Sequence, residues 1–144
     1  VIFIRRYWFY DNYEQIADRV GISAKNVSVK LTRLRRQLKV YLEEKRKLLD
    51  KAIETLATNG YDLASKERDY KIAVNKKALQ LRAEDTPVTL INTIIYGYED
   101  IAELRFNRDT AQVKYNANNE YINTLKLQLR ILENQLGREY GRQQ

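Results

Sequence analysis

Apolar residues recur at alternating steps of three and four along most of residues 49–136, and this pattern constrains the fold more than any other feature. The spacing keeps one stripe of a helix apolar, which is typical of a long helix that packs against another helix. A first run consists of Leu49, Ile53, Leu56, Gly60, Leu63, Glu67, Tyr70, Val74, Lys77 and Leu81. A second run consists of Ile101, Leu104, Arg108, Ala111, Tyr115, Asn118, Ile122, Leu125, Leu129, Leu132 and Leu136. The pattern therefore predicts an all-α chain.

The only proline of the chain, in Asp85-Thr86-Pro87, separates the two runs. Proline suits a first helical turn and disfavours helix in the residue before it, so we expect a firm break there. The apolar segment that follows, VTLINTII, is predicted to be a short helix that caps a hairpin, although its composition also permits a strand. Residues 45–144 are thus predicted to form a long antiparallel helical hairpin, coiled-coil-like, with a short connector near 85–97. Because the apolar stripe is narrow, we also expect homo-oligomers that form through the hairpin.

Polar and aromatic side chains interrupt these apolar runs. Arg108 and Asn118 are predicted to fix the register of the helical pair, and the alternative is a hidden polar site. Four tyrosines lie at or near the stripes and are predicted to pack against other residues rather than to stack on nucleic-acid bases, namely Tyr61, Tyr70, Tyr115 and Tyr121. The hairpin is therefore predicted to be a packing element.

Residues 11–39 carry the signals of a helix-turn-helix, which we assign to a first domain of residues 1–44. Asp11-Asn12 is a cap signal, and residues 13–20 have the apolar spacing of a short helix. Gly21 suits a helix stop and Ser23 suits the cap of a second helix. Apolar residues stand where the two helices would lock together, at Ala17, Ile22, Val27 and Leu31. The exposed start of the second helix is the end that points at base edges in such folds.

The positive charge is concentrated in the same part of the chain. Residues 1–45 hold ten Lys or Arg and five Asp or Glu, for a net charge of +5, whereas the remainder holds sixteen and fourteen, for +2. Six basic residues and no acidic residue lie in the fifteen positions from 25 to 39: Lys25, Lys30, Arg33, Arg35, Arg36 and Lys39. This excess indicates contact with the phosphates of DNA, and the alternative is a solvated helix face. Arg5-Arg6 can either touch phosphate or cover apolar surface with their stems.

The string FIRRYWFYDNYEQIADRVGISAKNVSVKLTRLRRQLKVYLEE closely resembles region 4 of bacterial RNA polymerase sigma factors, in particular the extracytoplasmic-function type. The resemblance implies recognition of a promoter element at −35 and contact with the polymerase flap. Carried over by position, Lys25, Asn26, Ser28 and Val29 would face DNA bases, and Lys30, Arg33 and Arg36 would face phosphates. The region that carries the main polymerase attachment in that family is absent, so this chain alone is not expected to be a working sigma factor.

The remaining residues resemble a different kind of protein, a small helical protein encoded by phages and prophages of Gram-positive bacteria. The stretch that carries this likeness begins at YDLASKERDYKIAVNKKALQ and ends at LENQL, and the likeness implies no activity. The chain also has no Met. We therefore expect a fragment or a chimera whose junction lies near residues 43–47. An alternative function follows, in which the hairpin is a structural or interaction protein and the sigma-like part is its fusion partner.

Several function classes are excluded by what the sequence lacks. The chain has no Cys and no His, so a disulfide framework, a Cys/His zinc site and a histidine-based triad are excluded. It has no Gly-rich phosphate loop and no nucleophile motif, so we predict no enzyme activity, no catalytic or metal-binding residue and no cofactor. No apolar run reaches the length of a membrane span, so we predict a cytoplasmic protein without a membrane partner.

Overall fold

The computed structural model describes residues 1–140, with side chains up to Arg138, and contains no β-strand over that range. Five α-helices and one short 3-10 helix follow one another: α1 (Ile2–Tyr7), α2 (Tyr13–Val20), α3 (Ala24–Ala83), α4 (Val88–Ile94), the 3-10 helix (Ile95–Gly97) and α5 (Glu99–Tyr140). The all-α prediction is confirmed. Residues 141–144 of the predicted hairpin lie outside the described residues.

Helix α2 begins and ends where its sequence predicts. The side chain of Asn12 accepts a hydrogen bond from the Gln15 amide at 2.8 Å, and the Gln15 side chain accepts one from the Asn12 amide at 2.8 Å. This capping box satisfies two amides that the first helical turn leaves unpaired. Gly21 closes the helix in the left-handed conformation with φ of 73°, and its amide donates to the Ala17 carbonyl at 2.9 Å. Few side chains tolerate that φ, which is why glycine marks this turn.

Helix α3 runs for 60 residues without a break and so carries both the second helix of the helix-turn-helix and the first arm of the hairpin. Gly60, a member of the first apolar run, lies inside the helix. Helix α3 ends at Ala83, Asp85 in the turn that follows has φ of 59°, and Pro87 directly precedes α4. The segment after Pro87 is helical, so the helix prediction for VTLINTII is confirmed and the strand alternative is wrong.

The chain divides into two compact units, and α3 and α5 run antiparallel as a helical hairpin. The first unit comprises Val1–Leu49 and the described residues from Thr124 onward, and the second unit comprises Asp50–Asn123. In the first unit Arg46 donates to Glu133 at 2.9 Å, and this hydrogen bond raises the pKa of Arg46. The apolar cluster beside that pair consists of Leu42, Leu129, Leu132 and Leu136.

Polar groups fix the register of the helices in the second unit, as the sequence predicts. Asn118 Nδ2 donates to the Ala52 carbonyl at 3.0 Å. Arg108 lies 3.5 Å from Glu67 and places its guanidinium 4.6 Å from the centre of the Tyr70 ring. A hydrogen bond with Asp109, the neighbour of Arg108, raises the arginine pKa. These contacts engage both polar positions in packing. Arg108 also lines a cleft of about 710 Å³, so the hidden-site alternative stays a prediction.

Three positions of the second unit depart from the sequence prediction. Ile53 is 47% exposed and Ala52 is buried in its place, so the stripe takes two successive steps of four, from Ala52 through Leu56 to Gly60. An extra step of four interrupts a heptad repeat locally. Tyr70 and Tyr115 pack as predicted, whereas the packing prediction is wrong for Tyr61 and Tyr121, which are exposed.

Candidate nucleic-acid interface

The first turns of α3 are held by a small core that they share with α2. Ile16, Val27 and Leu31 have no solvent-exposed surface, and Ala17 completes the buried cluster. Half-buried side chains surround it and include one from the turn: Ile2, Tyr7, Tyr13, Val20, Ile22 and Ala24. The predicted locking positions are thereby confirmed. Because Val27 and Leu31 face this core, the opposite side of the first turns of α3 is exposed to solvent.

The four candidate base contacts lie at the leading end of α3. Ser23 Oγ accepts from the Asn26 amide at 3.3 Å, so the predicted cap is present. A helix turns by about 100° per residue, which places Lys25 and Val29 roughly opposite Val27 and sets Asn26 and Ser28 on the two flanks. Lys25, Asn26 and Val29 are exposed, whereas Ser28 is half-buried. This end of the helix therefore presents an ammonium group, an amide and a small apolar side chain together.

The three candidate phosphate contacts follow over the next two turns. Lys30, Arg33 and Arg36 are exposed. Among the described side chains none of the three forms an ion pair or hydrogen bond, and the same is true of Lys25. Lys30 and Arg33 lie on the flank of Asn26, and Arg36 continues the outer line of Lys25 and Val29. Relative to Val27, the helical spacing places six of the seven predicted residues on the outer side or on the flank of Asn26, over about 16 Å at 1.5 Å per residue, and leaves the half-buried Ser28 on the opposite flank. We call these six residues the cationic face: Lys25, Asn26, Val29, Lys30, Arg33 and Arg36.

The side chains of Arg35 and Thr32 form hydrogen bonds within the protein. Arg35 is half-buried and donates to the Tyr13 hydroxyl at 3.1 Å. Thr32 Oγ1 donates back to the Ser28 carbonyl at 3.0 Å. Of the six basic residues at positions 25–39, Arg35 therefore packs within the protein, whereas the other five are exposed. No local signal marks Arg35, because Tyr13 comes near it only when α2 packs on α3.

Arg5 and Arg6 are engaged within the protein. Arg5 lies 3.5 Å from Asp11 and 5.0 Å from the centre of the Phe9 ring. Arg6 donates to the Asp11 carbonyl at 3.2 Å and lies 5.1 Å from the centre of the Tyr13 ring. Such stacking covers aromatic surface with the guanidinium. These contacts favour the covering role over the phosphate role for both arginines.

The described residues contain neither a candidate metal site nor a candidate membrane span. Residues 1–140 contain no group of three or more acidic side chains placed to hold a metal ion. Within the same range no helix has the length and apolar character needed to cross a membrane. Comparisons with family models, with curated proteins and with solved structures each give no match for this chain.

Proposed function

We propose that the protein binds double-stranded DNA through the cationic face, without enzymatic activity, and that the first turns of α3 enter the major groove. The observation that carries this proposal is the set of four cations, Lys25, Lys30, Arg33 and Arg36, exposed on one helix and unpaired with any described carboxylate. Exposed cations without a carboxylate partner attract a polyanion, and binding releases the counterions of the polyanion. The major groove of DNA admits a helix of this width.

The leading end of α3 has the chemical groups that distinguish base pairs. A lysine ammonium donates to the O6 and N7 acceptors of guanine, and an asparagine amide pairs with the N6 and N7 groups of adenine. The methyl groups of Val29 suit contact with the thymine methyl. Lys25, Asn26 and Val29 would therefore read sequence, while Lys30, Arg33 and Arg36 would hold the helix on the backbone.

Selection from a randomised duplex pool separates these two roles. Asn26→Ala is expected to alter the selected sequence, because it removes a group that reads bases. Arg33→Ala is expected to weaken binding to all duplexes alike and to lower the slope of log affinity against log salt by about 1. Lys126→Ala, an exposed cation on α5, is the matched control and should change neither property. A duplex affinity that does not fall between low and moderate salt would rule the proposal out.

The likeness to sigma region 4 supports a narrower form of this function, in which the duplex is a −35-type promoter element and the polymerase flap is a second partner. An apolar groove of about 490 Å³ lies beside the helix-turn-helix core and fits the apolar side of a helix. Its walls include Ile2, Phe3, Val20 and Leu34, and Lys30 and Arg33 stand among its lining residues. An isolated flap domain that fails to retain the full chain in a pull-down would remove the flap from this proposal.

A second candidate function is self-association through the hairpin, with the sigma-like part as a fusion partner. Phe106 is 65% exposed and Val113 is 67% exposed on α5, one heptad apart. A second copy of the chain would cover such positions with the same spacing. Light scattering should then give a defined oligomer that DNA does not change, and Phe106→Gln with Val113→Gln should dissociate it. A monomer at high protein concentration would contradict this candidate.

A further inference from the structure

Exposed apolar side chains form a row on the outer side of α3 in the second unit. Tyr61 is 79% exposed, Ile72 46% and Leu79 68%, whereas Tyr70 on the same helix is buried. A helix turns by about 100° per residue, so each of the three lies about 160–180° from Tyr70 around the axis. The Arg108 guanidinium of α5 lies 4.6 Å from the centre of the Tyr70 ring. These three residues, which we call the α3 row, therefore point away from α5 within this unit.

Phe106 and Val113 form a matching row on α5, which we call the α5 row. Both are exposed, and the helical turn places both about 160–180° from Tyr115, whose ring lies against Gly60 of α3. The two residues of the α5 row are seven positions apart, as are the last two of the α3 row, so each pair spans about 10.5 Å at 1.5 Å per residue. The two rows thus share an apolar spacing and face away from each other.

The charges beside the two rows are opposite in sign. Within about 80° of Leu79 around α3, residues 61–82 hold four basic side chains and one acidic side chain, namely Arg68, Lys71, Lys76, Arg82 and Asp69. Within about 80° of Phe106 around α5, residues 99–120 hold four acidic side chains and one basic side chain, namely Glu99, Glu103, Asp109, Glu120 and Lys114. All ten are exposed. The surface around the α3 row is therefore basic, and the surface around the α5 row is acidic.

Several of these charges are not neutralised within the chain. Among the described side chains, Lys76 and Arg82 form no ion pair with a carboxylate, and Glu99 and Glu103 form none with a cation. Each row therefore keeps charges that are available to a partner of the opposite sign.

We propose that the α5 row of one copy packs on the α3 row of a second copy. The inference rests on the second candidate function, self-association through the hairpin, and names its interface. Contact between two α3 rows would oppose basic groups to basic groups, and contact between two α5 rows would oppose acidic groups to acidic groups, so like charges disfavour both. The unlike pairing matches the apolar spacing and joins opposite charges, as the charges that flank a coiled-coil seam select its partner.

This pairing also determines how the copies assemble. Because the two rows face away from each other, a pair of copies cannot bury both rows of either copy. The contact therefore repeats from copy to copy, as a head-to-tail contact does when it forms a ring or a filament. Contact between two copies of the same row would instead stop at a dimer.

Two double variants of the full chain test the pairing by light scattering. Ile72→Gln with Leu79→Gln disrupts the α3 row, and Phe106→Gln with Val113→Gln disrupts the α5 row. Each variant alone should be a monomer with unchanged helical circular dichroism, because all four positions are exposed. An equimolar mixture should give a one-to-one dimer, because the first variant retains the α5 row and the second retains the α3 row.

Two further variants serve as the control and as the test of charge. Val40→Gln with Leu48→Gln changes exposed apolar residues of α3 outside the second unit and should leave the assembly as in wild type. Lys76→Glu with Arg82→Glu should move assembly to an about tenfold higher protein concentration, because two attractions become repulsions.

The outcomes separate the proposed interface from self-association itself. If the α3 variant assembles like wild type, or if the mixture stays monomeric while wild type assembles, the pairing of unlike rows is overturned and self-association stands. A wild-type chain that is monomeric at high protein concentration would overturn both. DNA binding is unaffected by either result, because no residue of the two rows belongs to the cationic face.

Discussion

Gly60 lies against the ring of Tyr115 in the second unit, and its replacement tests the register of the hairpin. A Cβ atom built on Gly60 would lie 3.4 Å from Tyr115 Cε2, an ordinary van der Waals contact. Gly60→Ala therefore fits, and it should stabilise the fold by about 0.5–1 kcal/mol, because glycine inside a helix is less favourable than alanine. Gly60→Leu adds three further carbons towards the ring and should lose about 1–3 kcal/mol relative to Gly60→Ala.

Urea unfolding followed by circular dichroism measures this difference. With a slope of about 1–3 kcal/mol per molar urea, each 1 kcal/mol moves the midpoint by about 0.3–1 M. Ala57→Leu is the matched control, because it places the same side chain at an exposed position of α3 and should stay within about 0.5 kcal/mol of wild type. If Gly60→Leu is as stable as Gly60→Ala, the added carbons fit into the cleft of about 710 Å³ that Gly60 and Tyr115 line, and the predicted overpacking is refuted.

Three further substitutions test the packing of both units by the same unfolding measurement. Leu31→Ala empties a fully buried position of the helix-turn-helix core and should cost about 2–5 kcal/mol, and a cost below 1 kcal/mol would contradict that burial. Asn12→Ala removes the capping box and should cost about 1 kcal/mol, whereas an unchanged midpoint would show that the cap is not formed. Asn118→Ala removes the hydrogen bond to the Ala52 carbonyl and should cost about 0.5–1.5 kcal/mol, and a stabilised variant would count against its role in the register.

The sequence predicts most of the fold because the decisive signals are local. Asn12, Gly21 and Ser23 act on their own helix ends, and the hydrogen bonds at those ends agree with the prediction. The break at Pro87 is local as well, since the proline ring restricts the residue before it. The apolar stripe of α5 depends only on spacing within one helix and is reproduced along its length.

Contacts between distant residues limit what the sequence can predict of the packing and the site. Ala52 replaces Ile53 in the stripe, and both residues are apolar, so the spacing within α3 does not decide between them. In the sequence, Arg35 cannot be distinguished from the other members of the basic run, because Tyr13, which accepts its hydrogen bond, lies 22 residues earlier.

The account depends most on the exposed cations of α3, and the salt dependence of duplex binding tests them directly. Each phosphate contact contributes about 0.9 to the slope of log affinity against log salt, so a variant with Lys30, Arg33 and Arg36 all changed to Gln should lose about 2.7 from the slope. A control with Lys114, Lys126 and Arg130 changed to Gln has the same net charge, and these exposed cations lie outside the cationic face. The account predicts that only the first variant loses slope and affinity. Equal slopes for both variants and wild type, or no duplex binding by wild type at low salt, would contradict it.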